Sequence, residues 1–84
     1  MEISSASPNP FVDRFNIKYV ANEGEVLLEV LSLEGNLVHS ETLVAFHGAN
    51  EYSFERGYSL PKGLYIVRMS QAGHDPQMIK VMKR

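Results

Sequence analysis

Three histidines, His39, His47 and His74, are the residues of this chain best suited to holding a metal ion. They form no H-x-H or H-x-x-x-H pair, so a metal site would need all three to converge from separate segments. The chain contains no cysteine, which excludes thiolate ligands, disulfides and a cysteine nucleophile. The sequence therefore predicts solvent-exposed histidines and no bound metal or other cofactor.

The serines and carboxylates form no catalytic pattern. None of the serines lies in a G-x-S-x-G elbow, the turn that exposes a nucleophile in many hydrolases. The ten acidic residues include potential acid and base pairs, yet on one-sided strands most of them should be solvated charges of the outer face. We therefore expect no enzymatic activity.

Two binding functions remain open on residue types alone. Turn residues with oxygen ligands (Asn22, Glu23, Asn50, Asp75) suit calcium, but no D-x-D-x-D-G loop concentrates them, so turn capping is the favoured interpretation. Three tyrosines, Tyr52, Tyr58 and Tyr65, are candidates for a sugar-binding face. The absence of tryptophan weakens that alternative, because aromatic rings at inward strand positions usually belong to the core.

Size and charge narrow the class of protein. A chain of 84 residues is one small domain, and its 44% hydrophobic content is that of a globular fold. A net charge of −2 provides no field for gathering nucleic acid. No apolar run approaches the roughly 20 residues of a membrane-spanning helix. The start, MEISSAS, has neither the basic region nor the apolar core of a signal peptide, and we treat residues 1–7 as a linker remnant.

The dominant hydrophobic period is two residues, which is typical of half-buried strands. It appears in FNIKY, VLLEVLSL, EYSFER, LYIVRM and QMIKVMK, and the segments between them (NEG, EGN, HGAN, PKG, AGHDP) have turn chemistry. This spacing predicts an antiparallel, immunoglobulin-like β-sandwich of about seven short strands, with a small barrel as second choice. The expected core comprises Phe15, Ile17, Leu28, Val30, Phe54, Leu60, Tyr65 and Val67, with Phe11 as an additional anchor.

The last eight residues, QMIKVMKR, alternate apolar and basic side chains. Such a segment is commonly an edge strand that lysines keep soluble. The alternative is a positively charged handle for a receptor.

Six stretches follow one another in a characteristic order: SPNPF, FNIKY, VLLEVLSLEGNLV, GANEYSF, LPKGLYIVRM and KVMKR. In this order they resemble the type A C-terminal sorting domain of proteins exported by the type IX secretion system of Bacteroidota. That family has a P-N-P-F opening, a D-x-x-G turn, G-x-N and L-x-x-G-x-Y stretches, and a terminal strand with lysines. The resemblance covers residues 8–84. Ser32 stands in place of the family's aspartate, and since serine also hydrogen-bonds turn backbone, we expect the hairpin to form.

The resemblance implies a secretion signal rather than a catalyst. A folded domain at residues 8–84 would direct an upstream cargo protein through the periplasm and the outer-membrane translocon, with help from a shuttle protein, to the cell surface or medium. A sortase-like peptidase would then cut in or before residues 1–7. The recognition residues carried over by position are Pro8, Asn9, Pro10, Gly35, Gly63, Tyr65, Lys80 and Lys83.

Two structural expectations accompany this assignment. SPNPF should be a stiff, extended lead-in to the first strand. The last strand should offer a free edge on which a receptor strand pairs, while Lys80 and Lys83 set the register. The competing hypotheses are an adhesive or carbohydrate-binding sandwich and a structural spacer of fibronectin type.

Overall fold

A computed structural model describes all of residues 1–84 and contains seven strands and one short 3-10 turn. No helix of the fold is long and apolar enough to cross a bilayer. The elements in chain order are β1 (Glu2–Ser7), β2 (Phe15–Ala21), β3 (Gly24–Ser32), β4 (Leu37–Ala45), β5 (Gly48–Phe54), the 3-10 turn (Gly57–Ser59), β6 (Gly63–Gln71) and β7 (Gln77–Lys83).

The strands form two antiparallel sheets packed face to face. One sheet has the order β1-β2-β5 and the other has the order β4-β3-β6-β7. Every pair of hydrogen-bonded neighbours within them is antiparallel. The predicted β-sandwich of about seven strands is confirmed.

The expected linker at residues 1–7 needs correction, because Glu2–Ser7 is strand β1. It pairs with β2 from Glu2 opposite Val20 to Ser7 opposite Asn16, with an irregularity between Ile3 and Ser5. Its serine-rich sequence hides this role, since Ile3 and Ala6 are only partly buried against the core. An edge strand needs few apolar side chains, so its period-two signal is weak.

The core follows the predicted alternation on most strands. Val26, Leu28 and Val30 of β3 are fully buried, and Tyr65, Val67 and Met69 of β6 face them from the neighbouring strand. Seven of the eight expected core residues are buried, and so is Phe11. Leu60 is the exception, because it packs on the core from a loop and keeps partial exposure.

A polar contact joins the sheets along the side formed by β4 and β5. The hydroxyl of Tyr52 on β5 donates to Oε1 of Glu41 on β4 at 2.7 Å. His39 of β4 packs its ring on that of Phe54, with 5.2 Å between centroids. These inward-facing polar groups therefore lie at the margin of the sandwich rather than in its centre.

The strand directions define two ends of the sandwich. We call the end at which β7 finishes the C-terminal pole; it contains residues 8–14, 33–36, 55–62 and 84. The opposite pole contains residues 1, 22–23, 46–47 and 72–76. The chain therefore starts at one pole and reaches Arg84 at the other.

Candidate recognition site at the C-terminal pole

The fold gathers most of the recognition residues predicted from the sequence at the C-terminal pole. Segments that are far apart in the chain meet there because β1, β3 and β5 end at this pole, as β7 does. Seven of the eight residues lie in the connecting segments of this pole or near the ends of its strands: Pro8, Asn9, Pro10, Gly35, Gly63, Tyr65 and Lys83. Lys80 lies three residues earlier on the outer face of β7.

Asn9 binds the outer edge of β7 through its side chain. Its Nδ2 donates to the backbone carbonyl of Lys80 at 3.1 Å, and its Oδ1 accepts from the backbone N–H of Met82 at 2.9 Å. A primary amide has two N–H donors and a carbonyl acceptor, and here one N–H and the carbonyl pair with the strand as a peptide group would. The side chain thus takes the place that a neighbouring strand would occupy.

Phe11 continues the same contact with its backbone. Its N–H donates to the carbonyl of Met82 at 2.8 Å, and its carbonyl accepts from the N–H of Arg84 at 2.9 Å. This is a single parallel bridge opposite Lys83. The ring of Phe11 is fully buried, 4.8 Å from that of Phe15 between centroids, so the bridge is fixed to the core.

Two expectations about this region are therefore wrong. The edge of β7 at residues 80–84 is not free for a receptor strand, because Asn9 and Phe11 already occupy its hydrogen-bonding groups. Residues 8–10 form a bend and not an extended lead-in. The Ser7–Pro8 and Asn9–Pro10 peptide bonds are cis.

Lys83 does not present its charge as an exposed handle. Its side chain points inward on β7, the residue is 9% exposed, and Nζ donates to the carbonyl of Val12. The ammonium also lies 5.8 Å from the centroid of the Phe11 ring, a cation–π distance. Lys83 and Lys80 thus point to opposite faces, as a three-residue separation on a strand requires.

The β3–β4 turn forms as expected with serine at position 32. The hydroxyl of Ser32 accepts from the N–H of Asn36 at 3.1 Å, and its carbonyl accepts from the N–H of Gly35 at 2.9 Å. Gly35 has φ of +90°, a conformation that L side chains rarely adopt. The turn therefore depends on glycine at this position and tolerates serine in place of aspartate.

Tyr65 fixes the segment that precedes β6. Its ring is buried, and its hydroxyl donates to the carbonyl of Pro61 at 2.6 Å. Between this segment and the β3–β4 turn lies an open cleft of about 510 Å³. Its lining includes Leu33, Glu34 and Lys62. The expected inward ring with a polar tip is confirmed.

Gly57 is a residue of the pole that the sequence did not single out. It is buried, and a Cβ atom there would lie 2.7 Å from both the carbonyl oxygen of Asp13 and Cε2 of Phe11. Its φ is not positive, so the requirement is for space rather than for an unusual conformation. The segment after β5 thereby packs directly on Asp13 and on Phe11, which hydrogen-bonds the β7 edge.

All of these contacts fall within residues 5–84, which match the model of the family described as the secretion system C-terminal sorting domain. The match spans nearly the whole chain. The chain belongs to this family. It is therefore a type IX secretion sorting domain, as the order of its motifs implied. A search of curated proteins finds no match.

Membership settles the broad function of the sorting domain. It is a signal for export across the outer membrane to the cell surface or the extracellular space. Such a signal implies an attached cargo and an interaction with secretion machinery. Sorting signals are not a class of enzymes.

The candidates for metal and calcium binding do not converge in the sorting domain. No group of three or more His, Asp or Glu side chains is placed to share an ion. His47 and His74 are exposed, whereas His39 is half-buried, contrary to expectation, with Nε2 3.0 Å from Oε1 of Glu41. Asn50 caps its turn, since its Oδ1 accepts from the N–H of Phe46 at 2.9 Å.

The His39–Glu41–Tyr52 contact shifts two pKa values. The hydrogen bonds from His39 and then from Tyr52 hold the pKa of the Glu41 carboxyl below its usual value. Burial, followed by the hydrogen bond to Glu41, raises the pKa of the Tyr52 hydroxyl. The group lies on strands β4 and β5, away from the closure of β7, so it belongs to the architecture of the sandwich.

The tyrosines of the sorting domain do not form a common platform for a sugar. Tyr65 is buried within the four-stranded sheet, and Tyr52 is half-buried on β5 of the other sheet. Tyr58 is 69% exposed on the 3-10 turn. A stacking surface needs exposed rings on one face, and this arrangement provides a single exposed ring.

Proposed function

We propose that this sorting domain is read as a folded address by the type IX secretion machinery. It carries its cargo from the periplasm, with a shuttle protein, through the outer-membrane translocon. The observation that supports reading of the fold rather than of a linear peptide is the closure of β7 by Asn9 and Phe11. Motifs at the two ends of the domain become neighbours only after folding.

The eight recognition residues then divide into two kinds. Pro8, Asn9 and Pro10 form the bend that closes β7, and Gly35, Gly63 and Tyr65 shape the adjacent turns. Lys83 supports the closure from inside through Val12. Lys80 alone is an exposed strand residue whose charge faces outward. We therefore assign direct contact with the machinery to Lys80 and positioning roles to the other seven.

Removal of the domain from its cargo is the second part of the proposal. A sortase-like peptidase cuts in or before residues 1–7. A cut before Met1 leaves the sandwich complete, whereas a cut within Glu2–Ser7 requires β1 to separate from β2, because a peptidase needs an extended and unpaired substrate. Mass spectrometry of the released cargo would locate the cut. A released cargo whose last residue lies beyond residue 7 would contradict the assignment.

The function is tested by fusing residues 1–84 to the end of a periplasm-directed fluorescent reporter. The fusion is expressed in a type IX-competent bacterium and in a strain without the translocon. We expect reporter at the surface or in the medium only in the competent strain. Reporter retained in the periplasm of both strains would refute the proposal. Asn9→Ala should lower export, while Asn16→Ala, which removes a strand asparagine with no side-chain hydrogen bond, should not.

A further inference from the structure

The outer face of the four-stranded sheet carries a continuous apolar surface towards the C-terminal pole. One row of paired residues runs Leu37–Leu31–Ile66–Lys80 across β4, β3, β6 and β7. The next row towards the pole pairs Leu64 with Met82, and Met78 lies on the other side of Lys80. We call this surface the apolar face; its members are Leu31, Leu37, Leu64, Ile66, Met78 and Met82.

Four of these six side chains are exposed, and the other two, Leu31 and Ile66, are half-buried. Met78 is 65% exposed, Leu37 is 55% exposed and Met82 is 44% exposed. On the outer face of β2 in the other sheet, by contrast, Val20 is the single large apolar residue beside Asn16 and Lys18. Single exposed apolar side chains are scattered over the surface of any protein. Contiguous apolar side chains on one face, by contrast, mark an interaction surface.

The charges around the apolar face are predominantly positive. Lys80 lies within it, directly opposite Ile66 and between Met78 and Met82 along β7. Lys62 and Arg84 lie at the adjoining pole, where Glu34 is the acidic residue of the neighbouring turn. The two ion pairs of the chain, His39–Glu41 and Arg68–Glu29, use none of these three cations. A domain of net charge −2 therefore presents a basic apolar surface.

We propose that the apolar face binds a protein surface on which aliphatic side chains surround a carboxylate, and that Lys80 pairs with this carboxylate. The inference rests on the proposed function, because the partner belongs to the machinery that exports the domain. Burial of the leucine and methionine side chains supplies affinity, and the lysine–carboxylate pair supplies register and selectivity. The contact uses the face of the sheet, since Asn9 and Phe11 occupy the edge of β7 at this pole.

Charge argues against two other occupants. In a two-fold dimer the face would meet itself, so Lys80 would approach a second basic surface. Glu29, the strand acid in the adjoining row, is already held by Arg68, with 2.9 Å between Oε1 and the guanidinium. An anionic membrane is disfavoured because polybasic lipid-binding surfaces cluster about 4–8 cations. Arg68, opposite Met78, is paired with Glu29, so the unpaired cations are Lys80 on the face and Lys62 and Arg84 at the adjoining pole.

The experiment uses the reporter fusion with two matched pairs of variants. Lys80→Glu is compared with Lys18→Glu, which reverses an exposed mid-strand lysine on the other sheet. Met78→Ser is compared with Val44→Ser, which truncates an exposed residue on the opposite edge strand of the same sheet. Thermal unfolding of the purified domains checks that all four variants fold. We expect Lys80→Glu to lower the secreted fraction about tenfold or more, with Lys18→Glu within about twofold of the unaltered domain.

The outcomes separate this inference from the function on which it rests. If the unaltered fusion stays in the periplasm, the proposed function and this inference both fail. If it is secreted and Lys80→Glu is secreted equally well, only the docking surface is wrong. If the domain floats with phosphatidylglycerol vesicles and Lys80→Glu abolishes this binding, the face binds a membrane and the inference is overturned. If the domain sediments as a dimer and Lys80→Glu abolishes the dimer, the face binds a second copy and the inference is likewise overturned. We expect neither.

Discussion

Nδ2 of Asn9 donates a hydrogen bond to the backbone carbonyl of Lys80 across 3.1 Å, which joins residues 71 positions apart. The same side chain accepts from Met82, and Phe11 extends the contact to Arg84. A strand edge that would otherwise be available to another chain is thereby occupied from within the molecule. The P-N-P-F motif thus has a structural role at the far end of the chain.

Replacing Asn9 with alanine should loosen the end of β7 without unfolding the domain. Two hydrogen bonds are lost at a solvent-exposed site, so we expect a destabilisation of about 1–2 kcal/mol. Amide hydrogen exchange provides the measurement. The Met82 N–H should exchange faster, while amides of β3 change by no more than the global loss of stability. Asn16→Ala is the control, and equal protection of Met82 in both variants would contradict the closure.

Lys83 and Lys80 should differ in their effects on stability. Lys83→Met removes the hydrogen bond to Val12 and the cation over Phe11 while keeping an apolar stem. We expect a loss of about 1 kcal/mol, which corresponds to roughly 4–8 °C in Tm for a domain of this size. Lys80→Met should leave Tm unchanged, because that side chain is exposed and has no partner. Equal Tm values for the two variants would show that Lys83 is not buried as described.

Gly57→Ala should be markedly destabilising. The added methyl group would lie 2.7 Å from the carbonyl oxygen of Asp13 and from the ring of Phe11. Such overpacking typically costs about 1–3 kcal/mol. Urea unfolding measures it, with Tyr58→Ala as control because that neighbouring side chain is 69% exposed. A Gly57→Ala domain as stable as the control would mean that the segment after β5 packs differently.

Acid should weaken the domain partly through Glu41. Its folded-state pKa lies below the unfolded value of about 4.3. This contribution is therefore fully present above that value and is lost as pH falls through the folded-state pKa. Because the side chain is 41% exposed, we expect less than about 1 kcal/mol. Glu41→Gln should flatten the dependence of unfolding free energy on pH in this range, whereas Glu51→Gln, on the outer face of β5, should not.

Alkali should weaken the domain partly through Tyr52. Burial and the Glu41 carboxylate raise its folded-state pKa, so the folded state keeps the proton longer than the unfolded chain does. The stabilisation is present below the unfolded value of about 10 and declines as pH rises beyond it. Urea midpoints of Tyr52→Phe should fall less steeply with alkaline pH than those of the unaltered domain. Tyr58→Phe serves as the reference. If the urea midpoints of Tyr52→Phe and Tyr58→Phe fall equally steeply with pH, Tyr52 does not contribute to the loss of stability in alkali.

The alternation of side chains was enough to predict the buried faces of β2, β3 and β6. It did not settle β7, because Met78 and Met82 are apolar yet exposed, while Lys83 is charged yet buried. A long lysine stem can lie along a ring while its ammonium reaches a carbonyl, and periodicity does not report this. The same pattern does not reveal strand β1, because half of its six residues are serines.

The recognition site was predictable as a set of positions but not as an arrangement. Motif order identified Asn9, Gly35 and Tyr65 without indicating that seven of the eight residues lie in or against one closure and its adjacent turns. The side-chain amide of Asn9 takes the place of a neighbouring strand only because Lys80, 71 positions away, lies beside it. A local sequence pattern does not report a contact between residues so far apart. The need for glycine at position 57 is not predictable from the sequence for a similar reason. The space for a side chain there is limited by Asp13 and Phe11, which are distant in sequence.

The separation of 71–73 positions between Asn9 and its partners also has a kinetic meaning. Contacts between distant parts of a chain carry a large loop-closure entropy and tend to form late, which makes all-β topologies slow to fold. The pole should consequently be among the last regions to assemble and among the first to open. Secretion machinery that binds this pole would therefore select domains that have completed folding.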